Sequence, residues 1–148
     1  MTAGSAEVAY SNEASPRAFR MSRVLNERGE VAAEVFAKPA FVLAVPLQID
    51  SVLVAQRFQQ AVTSTLRASG RQAVMMDARQ AAVSSPEVNE SMWNWASKTP
   101  HFQVLAIVNQ SSVLSVAAKM KALAMGAKKV RVFVDLDEAT RWLTASDT

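Results

Sequence analysis

The sequence predicts an α/β fold in which about four helices pack on a mostly parallel, mixed sheet of about five to six strands. From residue 40 onward, short apolar runs alternate regularly with segments whose apolar residues recur at helical spacing. The connections between these segments are short, which is typical of parallel strands joined by right-handed crossover helices. We therefore predict a single domain over residues 19–148, preceded by a disordered tail of small and polar residues at 1–18.

The domain begins with a predicted pair of strands. Residues 20–37 show imperfect apolar alternation on either side of a turn at Asn26–Gly29. The next apolar run, AFVLAVPL at 40–47, is continuous rather than alternating, and Pro46 disfavours a helix there. Such a run is typical of a strand that is buried on both faces.

A helix, a strand and a second helix follow. Asp50 or Ser51 caps the first helix, and Gly70 ends it. Its apolar stripe is predicted to face the core and comprises Val54, Phe58, Ala61, Val62 and Leu66. Residues 72–78 form the next predicted strand, and residues 86–97 form the next helix.

The same alternation continues toward the C-terminus. Residues 102–109 are predicted to form a buried strand, and a helix then begins at Ser111 or Ser112 and stops at Gly126. We expect this helix to place its apolar stripe inside, a stripe that comprises Val113, Val116, Ala117, Met120, Leu123 and Ala124. Residues 129–134 form the last predicted strand.

The last helix is predicted to begin at Asp135. Asp135 and Glu138 have the spacing of a capping box, so the carboxylate at the helix start is explained by local structure. The residues expected to face inward are Leu136, Ala139, Trp142 and Leu143.

Composition argues against several classes of protein. The 148 residues contain no cysteine, which excludes disulfides, thiolate metal ligands and cysteine nucleophiles. The net charge of +3 is small for a nucleic-acid-binding domain, so no nucleic-acid partner is predicted. The chain does not open with a basic and apolar leader, and no run approaches the about 20 apolar residues of a membrane span. We expect a soluble, cytoplasmic protein.

The sequence predicts no catalytic residue, no cofactor and no metal ion. It has no P-loop and no GxGxxG, HExxH or GxSxG motif, and its four glycines are too few for a phosphate cradle. The one histidine, His101, precedes a predicted strand, whereas the candidate serine nucleophiles follow strands. Base and nucleophile would therefore lie at opposite ends of the sheet, beyond hydrogen-bond reach.

Polar side chains are predicted to gather where the parallel strands end. Ligands favour this edge of an open parallel sheet. The candidate ligand- or partner-binding residues at this edge are Asp77, Arg79, Asn109, Ser111 and Ser112. Asp77 and Arg79 are also placed to pair with each other, and the two serines begin a helix whose N-terminus could bind an anion, as helix N-termini do in general.

The helix at 86–97 supplies two further candidates, Met92 and Trp93. Val88, Met92 and Trp95 share one face, whereas Trp93 lies about 140° from Val88 around the helix. Trp93 is therefore either covered by another element or exposed as an anchor for a partner, a ligand or a membrane surface.

Ser84 and Ser85 have two interpretations. Ser84 lies three residues before Glu87, and Ser85 lies directly before Pro86, so either serine fits the start of a helix. A phosphoserine would also be tolerated there, because its charge would lie at a helix N-terminus. We favour the helix cap and keep a regulatory phosphosite at Ser84 or Ser85 as the alternative.

The segment KMKALAMGAKKVR carries several basic residues and no acid. Lys121, Lys128 and Lys129 are its candidates for a basic surface. Lys119 and Lys121 lie about 200° apart on a helix, so they cannot share a face, which favours a solvated edge. The alternative is weak peripheral contact with an anionic membrane.

The order of elements from 40 to 143 resembles the STAS-like fold, especially its SpoIIAA-like branch. The resemblance rests on three stretches, VMMDARQAAVSSPEV, FQVLAIVNQSSVLSVAAKMKALA and VRVFVDLDEATRWL. It implies a non-enzymatic domain. Anti-sigma-factor antagonists of the wider STAS family bind a kinase and are phosphorylated on a serine after the equivalent strand, so the implied counterpart is Ser84 or Ser85, here with Val83 before the pair and Pro86 after it.

The predicted function is thus a non-enzymatic, regulatory STAS-like binding module that acts through protein–protein contact around Ser84, Ser85 and the Trp93 helix. The alternative is a carrier or sensor of a small apolar or acyl ligand with peripheral membrane association, whose deformable pocket is lined by methionines and alanines. A homodimer through a sheet edge or the Trp93 helix is a further prediction. An enzyme that uses the polar residues at the strand ends has the least support.

Overall fold

The structure is a computed structural model that describes residues 21–145. The predicted tail at 1–18 lies outside the described residues. The described chain forms one six-stranded sheet in which the strands lie side by side in chain order. The strands are β1 (Met21–Leu25), β2 (Val31–Ala37), β3 (Val42–Pro46), β4 (Ala73–Asp77), β5 (Val104–Val108) and β6 (Val130–Phe133).

Four helices complete the described part of the chain, namely α1 (Val52–Ser69), α2 (Pro86–Lys98), α3 (Ser112–Ala124) and α4 (Leu136–Ala145). The first three strands pair antiparallel, and β3, β4, β5 and β6 pair parallel. The predicted fold class, a mostly parallel mixed sheet with helices packed on it, is confirmed.

The turn between β1 and β2 is organised by Asn26. Its side-chain oxygen accepts hydrogen bonds from the backbone N–H groups of Arg28 and Glu30, each at 2.9 Å. Gly29 follows with a φ of 82°, in the left-handed region that glycine tolerates best. This local chemistry closes the hairpin at the predicted turn.

Helix starts and stops follow the predicted capping residues. The Ser51 hydroxyl accepts a hydrogen bond from the Val54 N–H at 3.2 Å, and Gly70 ends α1 in the left-handed conformation. The Asp135 carboxylate begins α4, but it accepts from the N–H of Asp137 at 3.0 Å rather than from that of the predicted partner, Glu138.

The sheet has a core on each face. The larger core holds the predicted stripe of α1 together with Val88 and Ala96 of α2. On the opposite face, Ala139 and Leu143 of α4 pack against β4 and β5. The inward faces predicted for α1 and α4 are therefore confirmed.

Strand β3 is buried less completely than its apolar run predicts. Val42, Ala44 and Pro46 are buried, but Leu43 and Val45 on the other face are only half-buried. The reason lies in the position of α4, which packs on β4, β5 and β6 and leaves β3 at the margin of the second core.

Helix α3 is turned the opposite way from the sequence-based expectation. Val113, Met120 and Leu123, predicted to be core residues, are 77%, 65% and 82% exposed. The residues that face the sheet are small, with Ser115 and Ala122 buried. Helix α3 packs on β6, the last strand of the sheet, through its face of small residues. Its large apolar residues therefore point outward.

Candidate functional site

Asp77 and Arg79, at the carboxyl end of β4, form a closed ion pair. The Arg79 guanidinium donates to both carboxylate oxygens of Asp77, each at 2.8 Å, and the Arg79 backbone N–H donates to the same carboxylate at 3.2 Å. The hydrogen-bonded guanidinium holds the pKa of the Asp77 carboxyl below its ordinary value, and the carboxylate in turn raises the pKa of Arg79. Because each group satisfies the other, the pair is better suited to shaping the loop after β4 than to acid–base chemistry.

Asn109, Ser111 and Ser112 also have local structural roles at this edge. The Asn109 N–H donates to the Phe133 carbonyl at 2.9 Å and so ties the ends of β5 and β6 together. The Ser111 hydroxyl accepts from the Leu114 N–H at 3.2 Å and caps α3, which begins at Ser112. These three residues do not line either of the two surface grooves described below.

Ser85 is the N-cap residue of α2. Its hydroxyl accepts a hydrogen bond from the Val88 N–H at 3.3 Å, and Pro86 occupies the first turn. Ser84 is half-buried beside it, and Val83 before it is fully exposed. The capping geometry accounts for Ser85, whereas phosphorylation of either serine stays a prediction.

Met92 and Trp93 are partly buried against the larger core. The Gln59 side-chain amide of α1 donates to the Met92 sulfur at 3.6 Å and to the Ser91 hydroxyl at 3.2 Å, so α1 covers this part of α2. Of the two interpretations of Trp93, the structure favours a side chain covered by its neighbours.

The predicted basic surface is dispersed. Lys121 pairs with Glu90 at 3.2 Å, and of the three lysines only Lys128 is both exposed and without an ion pair to a described residue. Lys129 turns inward, donates to the carbonyls of Thr99 and Phe102, and lies 4.3 Å from the centre of the Phe102 ring. Burial lowers the pKa of the Lys129 ammonium. Lys121, Lys128 and Lys129 therefore do not form one continuous patch in the described chain, and a binding role for them stays a prediction.

The largest concentration of exposed apolar side chains lies on α3. Five of the ten large hydrophobic residues that are exposed in the described chain belong to this helix. Six apolar residues lie within about 120° around it. We call them the α3 stripe, which comprises Val113, Val116, Ala117, Met120, Leu123 and Ala124.

The periodicity of the α3 stripe is visible in the sequence, but its direction is not. A clue is the pattern of the opposite face, where Ser115, Ala118 and Ala122 are all small. A face of small residues lets a helix pack closely on a strand. The small face of α3 was therefore a possible packing face, although the large apolar residues lie on the other side. Because large exposed apolar patches are uncommon on monomeric proteins and often serve interaction, the α3 stripe is a candidate interaction surface.

Two surface grooves flank the helices. The first, of about 740 Å³ between α1 and α2, is lined mainly by glutamine, serine and threonine side chains and includes His101. The second, of about 1000 Å³, lies between α3 and α4 along β6, and we call it the β6 groove. Its lining combines Leu123, Val132 and Trp142 with several basic side chains.

Within residues 21–145, no three histidine, cysteine, aspartate or glutamate side chains come together to hold a metal ion. Over the same span, no helix combines the length and apolarity needed to cross a membrane.

A protein-family model described as SpoIIAA-like matches residues 43–144, which is more than half of the chain. The chain belongs to the SpoIIAA-like family. The SpoIIAA-like match begins within β3 and ends within α4, so it covers all the parallel strands and all four described helices. Such domains are commonly regulatory and typically non-enzymatic.

A solved structure shares the SpoIIAA-like fold. The chain is similar to an uncharacterized protein of the DUF3478 family from Shewanella loihica PV-4, whose crystal structure has a SpoIIAA-like fold. The TM-score is 0.55 at 13% identity, and the match covers 83% of this chain and 93% of the other. No curated protein matches the chain.

Proposed function

We propose that this SpoIIAA-like domain is a non-enzymatic, regulatory binding module that docks the α3 stripe onto an apolar surface of a partner protein. The observation that carries the proposal is the exposure of large apolar side chains along one face of α3. Burying one such side chain contributes about 1.5–3 kcal/mol, so several together supply a useful binding free energy.

The spacing of the α3 stripe supports a protein partner. Val113, Val116, Met120 and Leu123 recur at intervals of three and four residues, which is the anchor pattern of a helix bound in a groove. Met120 adds an adaptable side chain, of the kind common on surfaces that bind other proteins. The proposed contact surface is therefore α3, rather than the Trp93 helix that the sequence suggested.

A second candidate function is peripheral association with an anionic membrane. It is favoured by Lys119 and Lys121, which flank the α3 stripe on its two sides and would face lipid headgroups. Two features favour the protein partner instead. The α3 stripe contains no aromatic residue, and Lys121 is already paired with Glu90. Carriage of a small apolar or acyl ligand stays a prediction.

A site-specific photo-crosslinker tests the proposal. It is introduced at Met120 and, as the control, at Arg67, an exposed residue of α1. The tagged protein is irradiated in the cells from which it comes, and adducts are identified by mass spectrometry. We expect a protein adduct specific to position 120, and the purified partner should bind the wild-type domain directly.

Charge substitutions on the α3 stripe complete the experiment. Met120→Glu and Leu123→Glu should abolish binding of the purified partner. Asn89→Glu on α2 is the control and should leave binding intact. All three side chains are exposed, so the substitutions are compared at positions where a charge is compatible with the fold. Vesicles of phosphatidylglycerol and phosphatidylcholine are tested in parallel by flotation. Flotation that depends on Met120, without a protein adduct, would overturn the proposal in favour of membrane association.

A further inference from the structure

We propose that the β6 groove binds an acidic, extended polypeptide segment, which adds a strand to the outer edge of β6. This inference goes beyond the partner of the α3 stripe, because it rests on backbone recognition at a strand edge. Leu123 belongs to both surfaces, so the test uses Arg131 and Arg141, which line the β6 groove and lie outside the α3 stripe. It follows from the free strand edge, the two helical walls and the charge of the groove.

The edge of β6 offers backbone groups for strand addition. The Lys129 carbonyl accepts from Leu105 of β5, and the Phe133 carbonyl accepts from Asn109, the residue directly after β5. The backbone groups of 129, 131 and 133 therefore point inward, toward β5. Successive residues of a strand direct their N–H and C=O groups to opposite sides. Val132 therefore directs its N–H and C=O outward, and no strand within residues 21–145 pairs there.

The two walls of the β6 groove provide places for the alternating side chains of an added strand. Leu123 of α3 lies on one side of the β6 edge, and Trp142 of α4 lies on the other. Trp142 is held in place by Phe133, with ring centres 5.7 Å apart. An added strand projects alternate side chains toward these two walls, while its backbone bonds to β6.

The charge of the β6 groove selects an acidic occupant. Its four basic side chains are exposed and face one acidic side chain, Glu138. Among the described residues, none of the four forms an ion pair, and the Arg131 guanidinium lies 5.7 Å from the centre of the Trp142 ring. The four basic residues are Lys119, Lys128, Arg131 and Arg141.

The same charges disfavour other occupants. Pairing β6 of one copy with β6 of a second would bring two sets of these cations together, and like charges facing each other across an interface oppose association. The chain's own first 20 residues carry two glutamates against two arginines, so they are not acidic. A lipid surface would match the charge, but it would leave the outward backbone groups of Val132 without partners.

A synthetic peptide tests the proposal. The probe is a fluorescent, end-capped octapeptide of alternating glutamate and valine, and its lysine–valine counterpart is the charge control. We expect the full chain to bind the acidic peptide, with affinity falling as salt is raised, and not to bind the basic one. In the complex, the Val132 amide should become protected from hydrogen exchange.

N-methylation of the peptide separates strand addition from charge attraction alone. One variant is methylated on the glutamate amides and the other on the valine amides, so each loses the donors of one edge. Since only one edge of an added strand faces β6, one variant should lose binding and the other should retain it. Equal binding of both variants would overturn strand addition.

Charge reversal locates the peptide. Arg131→Glu and Arg141→Glu should each weaken binding by about tenfold or more, which corresponds to about 1.4 kcal/mol. Arg67→Glu on α1 is the matched control and should leave binding unchanged. Failure to bind the acidic peptide, or losses equal to that of the control, would overturn the proposal. The proposal would also be overturned if the protein bound anionic vesicles in a manner that depends on Arg131 but did not bind the acidic peptide.

Discussion

Asn26 is buried at the turn between β1 and β2, and its side chain makes three hydrogen bonds there. Asn26→Ala would leave the backbone N–H groups of Arg28 and Glu30 without their acceptor. We expect the free energy of unfolding to fall by about 1–3 kcal/mol, measured by urea denaturation. Asn89→Ala at an exposed position of α2 is the control, and an equal loss there would show that the turn bonds contribute nothing special.

The Asp77–Arg79 pair predicts a pH dependence. Because Arg79 holds the pKa of Asp77 below its ordinary value, the folded carboxyl binds a proton less readily than the unfolded one. The stability from the pair is thus complete above about pH 4 and is lost as the pH falls through the lower, folded pKa. Asp77→Asn and Arg79→Gln should each reduce the fall in urea midpoint between about pH 6 and about pH 3. An unchanged fall in both variants would contradict this role.

Single-residue roles were predictable from the sequence where local chemistry decides them. Ser51, Ser111 and Asp135 cap helices because the following N–H groups are only a few residues away. The inward turn of Lys129 was not predictable, because its acceptors at Thr99 and Phe102 belong to a loop about 30 residues earlier. A run of basic residues in the sequence shows that the segment is positively charged, but it does not show which of the side chains reach solvent.

At the scale of secondary structure, the orientation of α3 is open to a direct test. Leu123→Gln changes an 82% exposed side chain and should alter the free energy of unfolding by no more than about 0.5 kcal/mol. Ala122→Gln, one residue earlier, forces a long polar side chain against the sheet and should cost at least about 1–3 kcal/mol. Both are measured by thermal and urea unfolding. The reverse order of losses would mean that α3 is turned the other way.

The position of each element was predictable, and its packing partner was not. Continuous apolar runs located the strands, and capping residues located the helices, since both signals are local. The outward direction of the α3 stripe depends on where β6 lies in the sheet, which no local pattern contains. The β6 groove was missed for the same reason, because its walls come from α3 and α4 on either side of an edge strand.

The molecule as a whole is organised by strands that serve two cores. Met75 and Ala106 point to the core under α4, while Val74 and Leu105 on the same strands point to the core under α1 and α2. A strand cannot leave one core without disturbing the other. The two cores are therefore expected to unfold together.

Tryptophan variants test this cooperativity. Trp95 reports on the larger core, where it contacts Phe102, and Trp142 reports on the core under α4. A Trp93→Phe, Trp95→Phe double variant and a Trp142→Phe variant should each give a fluorescence midpoint in urea that coincides with the far-ultraviolet circular dichroism midpoint. Separate midpoints within either variant would show that the cores unfold independently.

The side-by-side order of the strands also has a consequence for biosynthesis. Each strand pairs with the one made just before it, so the sheet can grow at one margin while the ribosome is still extending the chain. No early strand has to wait for a distant later one to be inserted between it and its neighbour. Among the described strands, growth ends at β6, so the last of them to emerge is the edge strand to which we propose that an acidic segment adds.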